Sequence, residues 1–157
     1  MKTITLDSNA DRAVWRREIN PENVNDIEAG SGWTRLHYAA RIGDVSLVAA
    51  LIEAGADINY QATAFKVTPL HLSIYPVLYG GTKEGEHAKS VIVALLEAGA
   101  NTELQDSDGR KPVELRFHEL DQESQDAVKA IFESFSERQH FEQAISKTKE
   151  KKNKIKI

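Results

Sequence analysis

The chain has 157 residues, 41% of them apolar, and a formal charge of −4, which suits one domain with a continuous core. It contains no cysteine, so it can form neither a disulfide nor a thiolate nucleophile or metal site, and its stability has to come from packing. No uninterrupted apolar run is longer than Val91–Leu96, which falls far short of the roughly 20 residues that span a bilayer, and the first residues lack the apolar run of a signal peptide, so no membrane partner and a cytoplasmic location are expected.

The first element expected is a helix around Asp11–Ile19 with Trp15 on its buried side. Leu36, Ala39 and Ala40 then lie at helical spacing in a short helix that Thr34 caps and Gly43 ends. Val45, Val48, Leu51 and Ile52 mark a second, antiparallel helix, and Gly55 supplies the positive φ by which the chain leaves it. The pattern then returns. Val67-Thr68-Pro69-Leu70-His71 echoes Trp33-Thr34-Arg35-Leu36-His37, and the segment Val93–Asn101 echoes Ala49–Asp57. A weaker third copy keeps Asp106, Asp108, Gly109, Pro112, Val113, Ile131 and Phe132. From Glu123 to about Lys149 the spacing predicts helix, with Val128, Ile131, Phe132 and Phe135 as an apolar stripe loosely continued by Phe141 and Ile145. That helix is expected to cover the last apolar face and turn Glu133, Glu137 and Arg138 outward.

Gly32, Thr34, Leu36, His37, Ala39, Ala40 and Gly43, followed by Leu51, Ile52, Gly55, Ala56 and Asn59, match the pattern Gly-x-Thr-Pro-Leu-His-x-Ala-Ala … Gly-Ala-x-x-Asn. In these residues the chain resembles the ankyrin-repeat family from about Val24 to Phe135. The resemblance implies an all-α solenoid of stacked helix-turn-helix units with hairpin-like loops. Its expected divisions are an N-terminal capping helix or half-repeat (1–27), repeat one (28–61), repeat two (62–105), a degenerate repeat three (106–135) and a C-terminal helix with a Lys-rich tail (136–157).

Departures from the family pattern are local. Arg35 replaces the usual Pro, Ser73 and Ile74 replace the Ala pair, and Glu114 stands at the third His position. Leu36 to Leu51 is 15 residues and Leu70 to Leu95 is 25, which places a ten-residue insert between the helices of repeat two, near 76–87. Pro76, Gly80, Gly81 and Gly85 read as a loosened connection, and a long connection in a short-loop fold points to partner contact.

Catalysis finds no support in the residues. His37 and His71 occupy the Thr-x-Leu-His position, where the resemblance implies a structural histidine, and no His-Glu-x-x-His spacing, P-loop or nucleophile motif occurs. No enzyme activity, cofactor, metal or small-molecule substrate is expected. The resemblance instead implies a protein partner on the concave face, contacted by Trp33, Tyr38, Arg41 and Ile42 in repeat one, Phe65, Val67, Leu72 and Tyr75 in repeat two, Leu78 and Tyr79 in the insert, and Arg110 and Leu115 in repeat three. Trp, Tyr and Arg dominate many binding interfaces because each joins a large contact area to a polar handle.

From Glu97 to Glu142 there are twelve acidic residues against five basic ones, whereas Lys147–Lys156 holds six Lys and one Glu. The acidic half suits a basic partner; the tail offers only sequence-independent attraction to phosphate. The leading expectation is a monomeric inhibitor of one protein, most concretely an immunity protein that neutralises a bacterial toxin. A scaffold or secreted host-directed effector is the alternative, and a nucleic-acid-associated protein acting through the tail ranks below both.

Overall fold

The computed structural model describes residues 3–4, 19–75, 77, 82–114 and 119–154. The helix expected over Asp11–Ile19 lies outside them except for Ile19, as do Trp15, Pro76, Leu78, Tyr79 and Leu115, and the described side chains stop short of Phe141 and Ile145. The elements are β1 (Thr3–Ile4), β2 (Ile27–Glu28), α1 (Arg35–Ile42), α2 (Val45–Glu53), α3 (Pro69–Leu72), α4 (Thr82–Glu97), a 3-10 turn (Pro112–Glu114) and α5 (Gln122–Lys154). Among the described residues, apart from a two-residue parallel pairing of β1 with β2 and an isolated antiparallel bridge between Ile27 and Thr34, the architecture is helical, with hairpins between successive helix pairs.

Glycine sets where the helices stop. Gly43 caps α1 in the left-handed region at φ 74°, and its N–H reaches back to Ala39 and Ala40. Gly55 and Gly99, at φ 87° and 94°, turn the chain out of α2 and α4 at equivalent points. At the other end of α2, the Asp44 carboxylate accepts the Leu47 N–H at 3.0 Å.

One core runs the length of the stack. Leu36, Ala39 and Ala40 of α1 pack with Leu47, Val48 and Leu51 of α2, then with Leu70 and Ile74, then with Val91, Ile92 and Leu95 of α4. Ala39 and Ala40 are fully buried, and their small side chains let neighbouring helices approach closely. At the matching place in repeat two Ser73 is also fully buried, with its hydroxyl satisfied by donation to the Leu70 carbonyl at 2.8 Å. Val128, Phe132 and Phe135 of α5 close the core, while Glu133, Glu137 and Arg138 face outward and the Arg138 guanidinium lies 4.8 Å from the Phe135 ring centre.

Three features depart from the sequence reading. The β1–β2 pairing was not expected; two residues are too few to show an alternating pattern. The insert is not a loose connection throughout, because α4 starts at Thr82 and absorbs residues 82–87 as extra helix. Lys83, Glu84, Glu86 and Ala88 are strong helix formers, and one Gly at position 85 costs only about 1 kcal/mol against Ala. In the third copy the described part of the first helix is a 3-10 turn of three residues.

Candidate functional site

Three hairpins stand side by side along one edge of the stack. Each is closed by its own backbone bonds: Glu28 N–H to the Trp33 carbonyl at 2.8 Å, Ala62 N–H to Val67 at 2.9 Å, and Asp106 N–H to Arg110 at 2.9 Å. Neighbouring tips are tied together by Ala64 N–H to the Ser31 carbonyl (3.2 Å) and Ser107 N–H to the Phe65 carbonyl (2.9 Å). Gly32 allows this spacing: its φ is +69°, and a Cβ there would collide with Thr63 Oγ1 and sit 2.8 Å from the Thr63 nitrogen.

Two histidines lock the first helix of a repeat to the next hairpin. His37 Nδ1 faces the Thr34 N–H at 3.2 Å and the Thr34 hydroxyl at 2.8 Å, while Nε2 meets the Val67 carbonyl at 3.0 Å. An amide can only donate and a carbonyl only accept, so the ring is neutral and carries its proton on Nε2. His71 repeats the arrangement one unit along, with Thr68 N–H at 3.1 Å and the Arg110 carbonyl at 3.0 Å. Burial pushes the His37 pKa down to about 4 and lowers that of His71 as well. Glu114, at the third His position, accepts the Lys111 N–H through its carboxylate at 2.8 Å. It keeps the accepting half of the histidine's role and lacks the donating half.

A second ladder runs along the turns that lead out of the second helices toward the hairpins. Asn25 donates to the Gly55 carbonyl (3.3 Å) and accepts from Asp57 N–H (2.7 Å), and Asn59 makes the same pair with Gly99 (3.2 Å) and Asn101 (2.7 Å). These bonds cross between units, so each unit fixes the register of its neighbour.

The expected contact residues of repeats one and two converge on this framework. Trp33 and Val67, Tyr38 and Leu72, and Arg41 and Tyr75 are each 34 residues apart and therefore stand at equivalent points of successive units. Val67 and Leu72 are buried with Ala62, and Trp33 and Tyr75 pack over them. They form the floor of the face rather than its surface. Trp33 stacks on His37 (6.4 Å between ring centres) and meets Tyr38 edge-on at 4.9 Å. The Tyr38 phenol, its pKa raised by burial, shares hydrogen bonds with Ser31 and Glu28.

Arg41 is exposed, and its guanidinium carbon lies 5.7 Å from the Trp33 ring centre and 5.5 Å from that of Tyr75. Both distances are within cation–π range, and the two rings belong to different repeats. Ile42 is half-buried, and Phe65, 62% exposed, projects from the second tip beside Lys66, whose φ of 52° is left-handed without glycine.

Arg110 is turned to its own hairpin. It pairs with Asp106 at 2.9 Å and with Asp108, and so braces the third tip. Burial raises the Asp106 carboxyl pKa, but the Arg110 amide and guanidinium and the Asp108 amide outweigh burial and hold it below the usual carboxylate range. Among the described residues no group of three or more His, Asp or Glu is arranged to hold a metal ion, and no helix is long and apolar enough to cross a membrane. The role of Glu114 and the clasp on Arg41 were not anticipated from sequence. The 34-residue offset between Arg41 and Tyr75 was the available signal for the clasp.

The family model described as ankyrin repeat matches residues 31–63. The chain is 39% identical over 92 residues to mouse Rabankyrin-5, a match covering 57% of this chain and 8% of that protein. It is 38% identical over 104 residues to an ankyrin repeat protein of Rickettsia felis, covering 62% of this chain and 48% of the other. Against the phosphocholine transferase AnkX of Legionella pneumophila the identity is 34% over 111 residues, 68% of this chain and 10% of that protein. The chain thus spans less than half the length of each of these relatives.

Proposed function

Because this chain is an ankyrin-repeat protein, we propose that it is a non-catalytic binding module that occupies one protein partner through the hairpin tips and first helices, and that occupancy inhibits the partner. Neutralising a toxin is the most concrete form of this activity. The observation that supports it is Arg41, exposed and held between Trp33 and Tyr75 of successive repeats over a buried apolar floor. Aromatic and Arg side chains over a dry support are the composition of an interface hot spot, and a rigid support reduces the ordering cost of association.

The test is co-purification of a tagged chain from its native cells beside two variants, Trp33→Ala/Tyr75→Ala and Arg41→Glu, each checked by circular dichroism. One stoichiometric partner, lost in both folded variants and inactivated by the purified chain in vitro, is the expected result. A partner retained by both variants, or one whose activity the chain leaves untouched, refutes it. A scaffold is the second reading. Simultaneous binding of two partners would support it.

A further inference from the structure

The acidic side chains along the hairpin edge are already engaged. Glu28 bonds Ser31, Asp57 holds Asn59 N–H, Glu103 pairs with Lys111, Asp106 and Asp108 grip Arg110, and Glu114 holds Lys111 N–H. Among the described residues Arg41 has no hydrogen bond and no ion pair, only its two ring contacts. Rings engage a guanidinium through its π faces or flanks and use up none of its hydrogen-bonding capacity. The five N–H donors of Arg41 therefore remain available in a fork whose position two repeats fix.

We propose that Arg41 is the receptor for a carboxylate on an acidic segment of the protein partner, bound bidentately between Trp33 and Tyr75, with Lys66 and Phe65 at the adjoining tip taking the next acidic and apolar side chains. This rests on the protein-binding reading above and names the partner's chemistry. A planar carboxylate matches the fork in geometry and charge. The surroundings disfavour a nucleic acid: Glu28 acts on the Tyr38 phenol alongside Arg41, and Asp106 and Asp108 occupy the next tip, so a continuous phosphate backbone would meet fixed negative charge.

The probe is a phage-displayed library of random peptides, selected on the full chain and counter-screened on Arg41→Gln, Arg41→Lys and Trp33→Ala/Tyr75→Ala. The expected result is enrichment of peptides with Asp or Glu at one fixed position beside an apolar or aromatic residue. Synthetic copies should bind about tenfold or more weakly to Arg41→Gln, with Arg41→Lys recovering only part because an ammonium cannot form the fork. Replacing the fixed acid by Asn or Gln should cost the peptide a similar factor and should add no further loss on Arg41→Gln. Peptides lacking a fixed acid that bind Arg41→Gln normally but not Trp33→Ala/Tyr75→Ala would overturn the carboxylate proposal and leave the protein-binding reading standing. No enrichment, or peptides that bind every variant equally, would overturn both.

Discussion

Acidification should loosen this protein in a pH window set by its buried histidines. His37 is fully buried, with Nδ1 against the Thr34 N–H and Nε2 on the Val67 carbonyl. Protonating it would place a charge in the core and set two donors face to face. Its pKa of about 4 lies below the ordinary 6.5, so between these values the unfolded chain takes up a proton that the folded chain refuses. Stability is therefore complete above pH 6.5 and drains as the pH falls toward 4. A depression of that size corresponds to about 3 kcal/mol, and His71, lowered by burial as well, adds in the same direction. Asp106 and Asp121, held below their usual 3.8, contribute losses only at lower pH. Urea unfolding from pH 7.5 to 4 measures the slope, and His37→Gln, which cannot titrate, should flatten it whatever its own cost at neutral pH. A wild-type profile level across the window, or one of equal slope in the variant, would refute the reasoning. Nitrogen NMR at pH 7 should also show the His37 proton on Nε2.

Further substitutions probe the framework. Gly32→Ala should destabilise by about 2 kcal/mol or more, read as a shift in the urea midpoint, because the residue is left-handed and the new Cβ meets the Thr63 backbone. Asn59→Ala removes a bond to Gly99 and one from Asn101, and should cost about 1–2 kcal/mol by the same assay. Gly85→Ala should raise stability by about 0.5 kcal/mol, since α4 includes position 85; no gain would argue that this stretch is not helical in solution.

Much of this architecture was legible in the sequence because its signature residues have local tasks. Gly43 and Gly55 adopt backbone angles that few other residues tolerate, and His37 and Asn59 each satisfy groups on the neighbouring unit, so the spacing of residues records the spacing of units. Less legible were features that depend on context. Glu114 resembles a lost histidine in sequence, yet its carboxylate performs the accepting task, which needs only a lone pair three residues past Lys111. Gly80, Gly81 and Gly85 suggested a loop, but helix propensity in the intervening residues carries α4 through Gly85. Val67 and Leu72 occupy positions where partner contact was expected but lie beneath Trp33 and Tyr75, large rings from adjacent units that shield the smaller side chains between them.

The same bonds that hold the stack together also shape the proposed binding face. Trp33 precedes Thr34, whose amide and hydroxyl meet the His37 ring; that ring is stacked under Trp33 and fixed to the Val67 carbonyl of the next hairpin. Tyr75 rises from the following repeat, where the His71–Arg110 contact sets the position of the third tip. Arg41 bridges the two rings, so its guanidinium is placed by the packing of two units rather than by its own flexible side chain. Much of the rotamer entropy that an exposed Arg loses on binding has then already been lost in folding. It follows that substitutions such as Asn59→Ala, which touch no part of the face, should weaken partner binding to the extent that they loosen the register between repeats. On the proposed function, recognition and stability rest on the same inter-repeat contacts.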